Sequence, residues 1–372
     1  MGSQHLEPER FDTVVVGGGQ AGLATGYHLA RLGRPFVILD AGQRIGDAWR
    51  DRWDSLRLFT PARYSGLPGM GFPAAAWHYP TKDEVAGYLE TYAARFQLPV
   101  RTGVRVDGLT RQGDRYLVTA TGRRFEAANV VVASGAFHHP RIPGFAPELD
   151  RGILQLHSTG YRRPSQLRDG GALVVGAANS GAEIALELSA GRPTWLSGPH
   201  PGNEPARAGG RLDRLTTPAL WFTFSRVLSV GNPVGRALRP KLLTAAAPLA
   251  AVRRKDLVAA GVELVPRTVG TRDGLPLLED GRALEVANVV WCTGYRSDFS
   301  WIDLPGFEPG EHPAHDRGVV AAQPGLYFVG LFFLTSIVSG LVGGVGQDAG
   351  HIAAAIAARS RAAAAPAGVA GS

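Results

Sequence analysis

The run Val14-Val15-Val16-Gly17-Gly18-Gly19-Gln20-Ala21-Gly22 carries an apolar stretch into a glycine turn and then into an alanine-rich pattern. Residues 11–16 are predicted as a strand and residues 21–32 as a helix. Gly17 makes the tight turn, Gly19 lets the backbone approach a pyrophosphate, and Gly22 lets helix pack closely on strand. The helix start, with Gln20 and Ala21, offers free N–H groups and a positive dipole end to the phosphates. A second strand at 35–39 ends at Asp40, whose carboxylate is placed to accept hydrogen bonds from ribose hydroxyls, with Ala41 beside it. Strand, turn, helix, strand and acid in this order read as a dinucleotide site.

A second such turn follows, Leu173-Val174-Val175-Gly176-Ala177-Ala178-Asn179-Ser180-Gly181. Gly176 is its turn glycine and Gly181 its packing glycine. Ala178 takes the middle position, where its methyl group moves a pyrophosphate slightly outward. Asn179 and Ser180 open the helix. The next strand-like run, 193–196, ends at Ser197, where no carboxylate stands to repel a 2′-phosphate. NADPH is therefore favoured over NADH here, with His200, Arg207 and Arg211 as sources of positive charge. Two turns imply two dinucleotides, with electrons passing between them.

The first site is assigned to FAD. The segment Gly46-Asp47-Ala48-Trp49-Arg50-Asp51-Arg52-Trp53 suits a long cofactor whose far end needs contacts such as Trp49 and Arg52. Core packing is the alternative for Trp49 and Trp53. Val130-Val131-Val132-Ala133-Ser134-Gly135 parallels Val289-Val290-Trp291-Cys292-Thr293-Gly294-Tyr295. Each is an apolar strand ending in a small hydroxyl residue and glycine, where the chain can cross between domains beside the cofactors. Ser134, Gly135, Thr293 and Gly294 are thus candidate cofactor contacts, as is Val106 at the end of a short strand. Cys292 is expected to be buried and inert.

The 372 residues are 45% hydrophobic and 19% charged, as in a globular protein with room for two cores. A single cysteine excludes a disulfide framework and the redox Cys-x-x-Cys pair within this chain. Residues 1–12 are polar and do not read as a secretion signal, and Leu6 breaks the myristoylation pattern, so a cytoplasmic setting is expected. Residues 318–347 hold no charged side chain. Glycines at 325, 330, 340, 343, 344 and 346 argue there for a buried strand at 326–330, a loop and a helix at 349–358, and against a transmembrane helix. Residues 359–372 read as a disordered tail. Between Arg214 and Lys255 no acid occurs, while Arg214, Arg226, Arg236, Arg239, Lys241, Arg253, Arg254 and Lys255 are basic. With Trp221, Phe222 and Phe224, this stretch reads as solvated basic helix faces, a mobile apolar lid, or a surface for anionic substrates or peripheral membrane contact. No nucleic-acid recognition module accompanies the charge.

Gly176-x-x-Asn179-Ser180-Gly181-x-Glu183 and His157-Ser158-x-x-Tyr161-Arg162 resemble the flavin-containing monooxygenase and Baeyer–Villiger group. The likeness is strongest to short bacterial members and to plant indole-pyruvate monooxygenases. It extends through Ser55-Leu56-Arg57-Leu58-Phe59-Thr60-Pro61, Leu67-Pro68-Gly69 and Gly346-Gln347-Asp348-Ala349, and spans about residues 10–358. The resemblance implies an α/β fold of two Rossmann-like dinucleotide-binding domains, the NADPH domain inserted in the FAD domain. Expected bounds are 10–157 and 286–358 for FAD and 158–285 for NADPH. It implies insertion of one oxygen atom from O2 into a small organic substrate through a flavin C4a-(hydro)peroxide, by a monomer or homodimer. Trp49 and Phe59 would wall the flavin. His157 and Tyr161 would belong to the loop tying the NADPH domain to the active site. Gly344 and Asp348 would open a helix facing the flavin. Two departures stand out. The family's aromatic residue and glycine before the histidine fall on Arg151 and Ile153, and the asparagine many members hold over the flavin is absent, with Phe59 near its place. A reductase passing electrons to a partner, or a redox-sensing flavoprotein, remains open on these residues.

Overall fold

Val14, Val15 and Val16 are buried on both faces of a strand, which makes Glu9–Val16 the centre of a sheet rather than an edge. In the computed structural model, which describes residues 7–135, 139–205, 207–210, 212–244, 247–307 and 314–364, Val15 packs into a helical layer with Leu23, Tyr88 and Ile352. Val14 and Val16 pack the other way, onto Tyr116, Val118 and Phe125. The sheet runs Val100–Arg101, Phe36–Leu39, Glu9–Val16, Arg123–Val132, Arg115–Ala120 and Val106–Gln112. Arg123–Val132 is long enough for two neighbours on one side. Residues 123–127 pair antiparallel with Arg115–Ala120, and residues 130–132 pair parallel with Leu326–Phe328.

That last pairing explains the charge-free segment. Leu326, Tyr327 and Phe328 are a fully covered strand, two residues shorter than the expected 326–330. No helix among the described residues is long and apolar enough to cross a membrane. The closing helix, Val345–Ala364, starts before the expected residue 349 and runs past 358. Arg359, expected in a disordered tail, lies within it and donates to Ala128 O at 3.2 Å. Residues 365–372 of that expected tail lie outside the described residues.

The second glycine turn leaves a second, wholly parallel sheet. Its order is Glu263–Val265, Thr194–Ser197, Ala172–Val175, Asn288–Trp291 and Leu154–His157. Both flanking strands belong to it, so the boundaries expected at 157/158 and 285/286 are corrected outward. His157 ends a strand of this sheet and Asn288 begins one, so neither position is a domain end. The chain enters this unit through His139–Pro140 and leaves through Tyr295–Arg296, and these two crossings pair antiparallel. The crossing predicted from the paired strand ends is therefore present.

Two features bind the units together. Trp53, from the first unit, is buried with Tyr161, Leu188 and Val290 in the core of the second. The basic excursion, Asp213–Phe222, a π-helical turn at Thr223–Val227, and Pro233–Thr244, leans back on the first unit. Trp221 stacks on Tyr64 at 5.0 Å, Tyr79 donates to Asp213, and Val230 N–H donates to Thr335 O at 2.8 Å. The excursion is thus pinned at several points, unlike a lid swinging on two hinges.

Candidate dinucleotide sites and active site

The register aligns Val16 with Leu39 and Val132, so the first turn leaves the sheet at its C-terminal edge, where α/β folds bind ligands. Gly17 has φ +109°, which L side chains avoid, and a Cβ there would come 2.5 Å from Ala133 O. A Cβ on Gly22 would overlap Gly17 O. Gly19 differs: a Cβ there meets nothing within 4 Å. Two of the glycines are thus required by the protein's own packing, while nothing in the described protein requires the third. The helix Gln20–Arg31 has no side-chain cap, so its first N–H groups are available to that space. Asp40 accepts from Gly42 N at 2.8 Å and Gly18 N at 2.5 Å, which holds its carboxylate against the turn.

These groups fit a pyrophosphate and a ribose. Gln20 also receives the Trp49 indole N–H on its Oε1 at 3.3 Å, fastening the Trp49 loop to the turn. Ala41 is exposed beside Asp40, and Val104 N–H donates to Asp40 O at 2.8 Å, bringing the start of the Val106–Gln112 strand alongside. Ser134 is exposed just past the Gly17 contact, and Gly135 comes next at φ +80°. At the other end, Asp348 is fully buried. Thr335 donates to one of its oxygens, while Oδ2 has no partner among the described residues, and burial pushes its pKa up. A buried acceptor left open next to a helix start is what a bound polar group would satisfy. Gly344 is held by packing, since a Cβ there would overlap Val338 O.

The second turn repeats this geometry. Gly176 again has φ +109°, a Cβ on it would overlap Cys292 O, and one on Gly181 would overlap Gly176 O. Burial pushes the Cys292 thiol up to about 12, as suits an inert packing residue. The helix Asn179–Ser189 also lacks a side-chain cap, and Ser180 is half-buried at its start. At two expected cofactor contacts the side chain is committed elsewhere. The Asn179 amide is committed to the 248–250 loop, donating to Pro248 O at 3.0 Å and accepting from Ala250 N at 2.9 Å. Ser197 is fully buried, and its hydroxyl is used by Pro266 O at 2.8 Å and Thr268 N at 2.9 Å. Side chains at a strand's last residue alternate in or out, and Ser197 faces in.

The residues just past Ser197 face the open space instead. A cavity of about 330 Å³ lies beyond the strand ends, lined by Ala177, Gly198, Pro199, His200, Arg254 and Pro266, among others. Of the three expected cations, His200 lines it, Arg207 is paired with Asp256 at 3.2 Å, and Arg211 lies outside the described residues. Arg254 was not distinguishable in the sequence from its seven basic neighbours.

At the exit from the second unit, His157 Nε2 donates to Gly294 O at 3.1 Å, and its Nδ1 accepts from Thr159 N at 3.2 Å. That pairing fixes a neutral ring, and burial, with Arg52 nearby, lowers its pKa. Tyr295, given no role from sequence, packs edge-on against His157 at 5.1 Å and its hydroxyl accepts from Arg52 at 3.2 Å. Arg52 thus meets the crossing strand. Thr293 likewise turns its hydroxyl to Arg141 O, leaving Gly294 as the backbone contact. Tyr161, expected at the active-site loop, is fully buried in the second core and donates to Glu187 at 2.6 Å. Its motif position places it one turn after the loop, facing inward. Phe59 is 37% exposed and packs into none of the cores.

Comparison with known proteins places this geometry. A family model described as pyridine nucleotide-disulphide oxidoreductase matches residues 14–193. The chain is 39% identical over 351 residues to an uncharacterized CzcO-like oxidoreductase of Geobacillus kaustophilus, covering 94% of this chain and 98% of that protein. It is 28% identical to the probable indole-3-pyruvate monooxygenase YUCCA9 of Arabidopsis thaliana, over 79% of this chain and 77% of the relative. Among solved structures, the flavin-containing monooxygenase from Stenotrophomonas maltophilia aligns with TM-score 0.74 and 29% identity, over 95% of this chain and 99% of that one.

Proposed function

The chain belongs to the flavin monooxygenase family, among its CzcO-like oxidoreductases, and on that premise we propose that it uses FAD, NADPH and O2 to oxygenate a small organic molecule. The supporting observation is the doubled turn. Gly17 packs against Ala133 and Gly176 against Cys292, each at the strand end from which the chain departs for one of the two paired crossings. Held at the two turns, NADPH would be the hydride donor and FAD its acceptor. Bound FAD supplies hydride acceptance and O2 activation.

The chain's own residues position and shield. Gly17, Gly19, Gln20, Ala21 and Gly22 cradle one pyrophosphate, and Asp40 holds the ribose. Ser134, Gly135 and Val106 would add contacts to the same cofactor, and the Asp348 oxygen would take a donor from it. Gly176, the backbone N–H of Asn179, Ser180 and Gly181 cradle the second pyrophosphate, with His200 and Arg254 at the 2′-phosphate. His157 cannot shuttle protons without breaking both of its hydrogen bonds, so its role is to position the return strand at Gly294. Trp49, fastened to Gln20, and Phe59 exclude water from the ring system.

Anaerobic reduction followed by oxygen tests this reading. NADPH should bleach the bound flavin, and O2 with a suitable organic substrate should give one oxygenated product per NADPH. If NADPH turnover yields stoichiometric hydrogen peroxide and no product across a substrate panel, the protein is a reductase and the reading fails.

A further inference from the structure

The basic excursion leaves an apolar surface that nothing among the described residues covers. Of the twelve large hydrophobic side chains exposed among the described residues, six fall here: Leu212, Leu215, Phe222, Val234, Leu238 and Leu243. Leu215 is 77% exposed, Leu212 66% and Phe222 62%. In Asp213–Phe222, Leu215, Pro218, Ala219 and Phe222 share one exposed helical face. In Pro233–Thr244, Gly235 is the buried residue, although nearly half the helix is apolar. A helix in that state needs an apolar medium on its outer side.

The charge says which medium. Arg214, Arg226, Arg236 and Lys241 are exposed and Arg239 half-exposed, with no acid between residues 214 and 255 and no ion pair to any of the five among the described residues. A second copy of this chain would bring the same positive face and be repelled. An anionic bilayer would accept both parts, its headgroups taking the cations and its acyl boundary taking the leucines and Phe222. We infer that the helices at Asp213–Phe222 and Pro233–Thr244 form a docking face for anionic lipid membranes. Docking does not depend on a spanning helix, and the pinned contacts at Tyr64, Tyr79 and Thr335 hold the face rigidly to the rest of the molecule.

Flotation of the FAD-loaded protein with vesicles tests this. Vesicles of phosphatidylcholine with added phosphatidylglycerol should carry the protein at low salt, and vesicles of phosphatidylcholine alone should not. Arg236→Gln and Lys241→Gln should each weaken partitioning about fivefold. Leu215→Ser with Phe222→Ser should weaken it at least about tenfold. All four side chains are exposed, and unchanged FAD content checks the fold. The inference is overturned if anionic vesicles do not bind the protein, if neutral and anionic vesicles bind equally, or if both variant pairs partition like the parent. It is equally overturned if Phe222→Ser instead dissolves a dimer, or if the face takes an acidic protein partner while vesicles leave it untouched.

Discussion

The ring of His157 closes the exit from the second unit, its Nε2 3.1 Å from the carbonyl oxygen of Gly294. The strand that ends at His157 is thereby fixed to the strand that returns the chain to the first unit. Burial holds the imidazole below its usual 6.5. The folded state therefore binds fewer protons than the unfolded one. Its contribution to stability is full above about pH 6.5 and is lost as pH falls through the lowered folded value. Chemical denaturation at a series of pH values should show wild type losing stability below pH 6.5 and His157→Gln losing less. His28 and His351 are lowered in the same direction, so a slope remains in the variant.

Gly19 and Gly22 should separate ligand from fold. Gly19→Ala meets no protein atom within 4 Å and should leave the melting temperature of the apoprotein unchanged while weakening FAD binding. Gly22→Ala collides with Gly17 O and should lower both. Equal FAD affinity in Gly19→Ala and the parent would show that the turn does not face the pyrophosphate.

Tyr161→Phe should act on stability. It strips Glu187 of its phenol partner and should cost about 1–3 kcal/mol in denaturant unfolding. The kcat/KM for NADPH should stay at the parent value. A large loss of turnover at unchanged stability would return Tyr161 to the chemistry.

Arg254→Ala should raise the KM for NADPH about ten- to hundredfold and leave that for NADH nearly unchanged, since a charge-assisted phosphate contact is lost. Arg207→Ala, whose guanidinium is engaged by Asp256, should leave both KM values nearly unchanged.

The sequence carried the two turns, the acid at Asp40 and the paired crossings because each rests on local rules: glycine conformation, strand length and helix polarity. It also carried the buried strand within the charge-free segment, at Leu326–Phe328, though Phe332 stays exposed and Cys292, expected buried, is half-buried. The side-chain directions were not legible. Ser197 and Asn179 stand at the right positions in the chain, yet Thr268 and the 248–250 loop, distant in sequence, claim their polar atoms. Tyr161 fits a motif but is turned by its packing against Leu188 and Val290. Arg254 and Tyr295 gain their places from tertiary contacts, and nothing local sets them apart.

Trp53 has a wider consequence. It leaves the first unit and is 5% exposed inside the second, with Leu56 packed against the same cluster. Pulling the units apart would empty a tryptophan-sized hole in one and expose the ring on the other. The two sheets therefore share a single fate on heating: they are two folds in outline and one cooperative body in thermodynamics, and neither half should be obtainable in soluble form without the other.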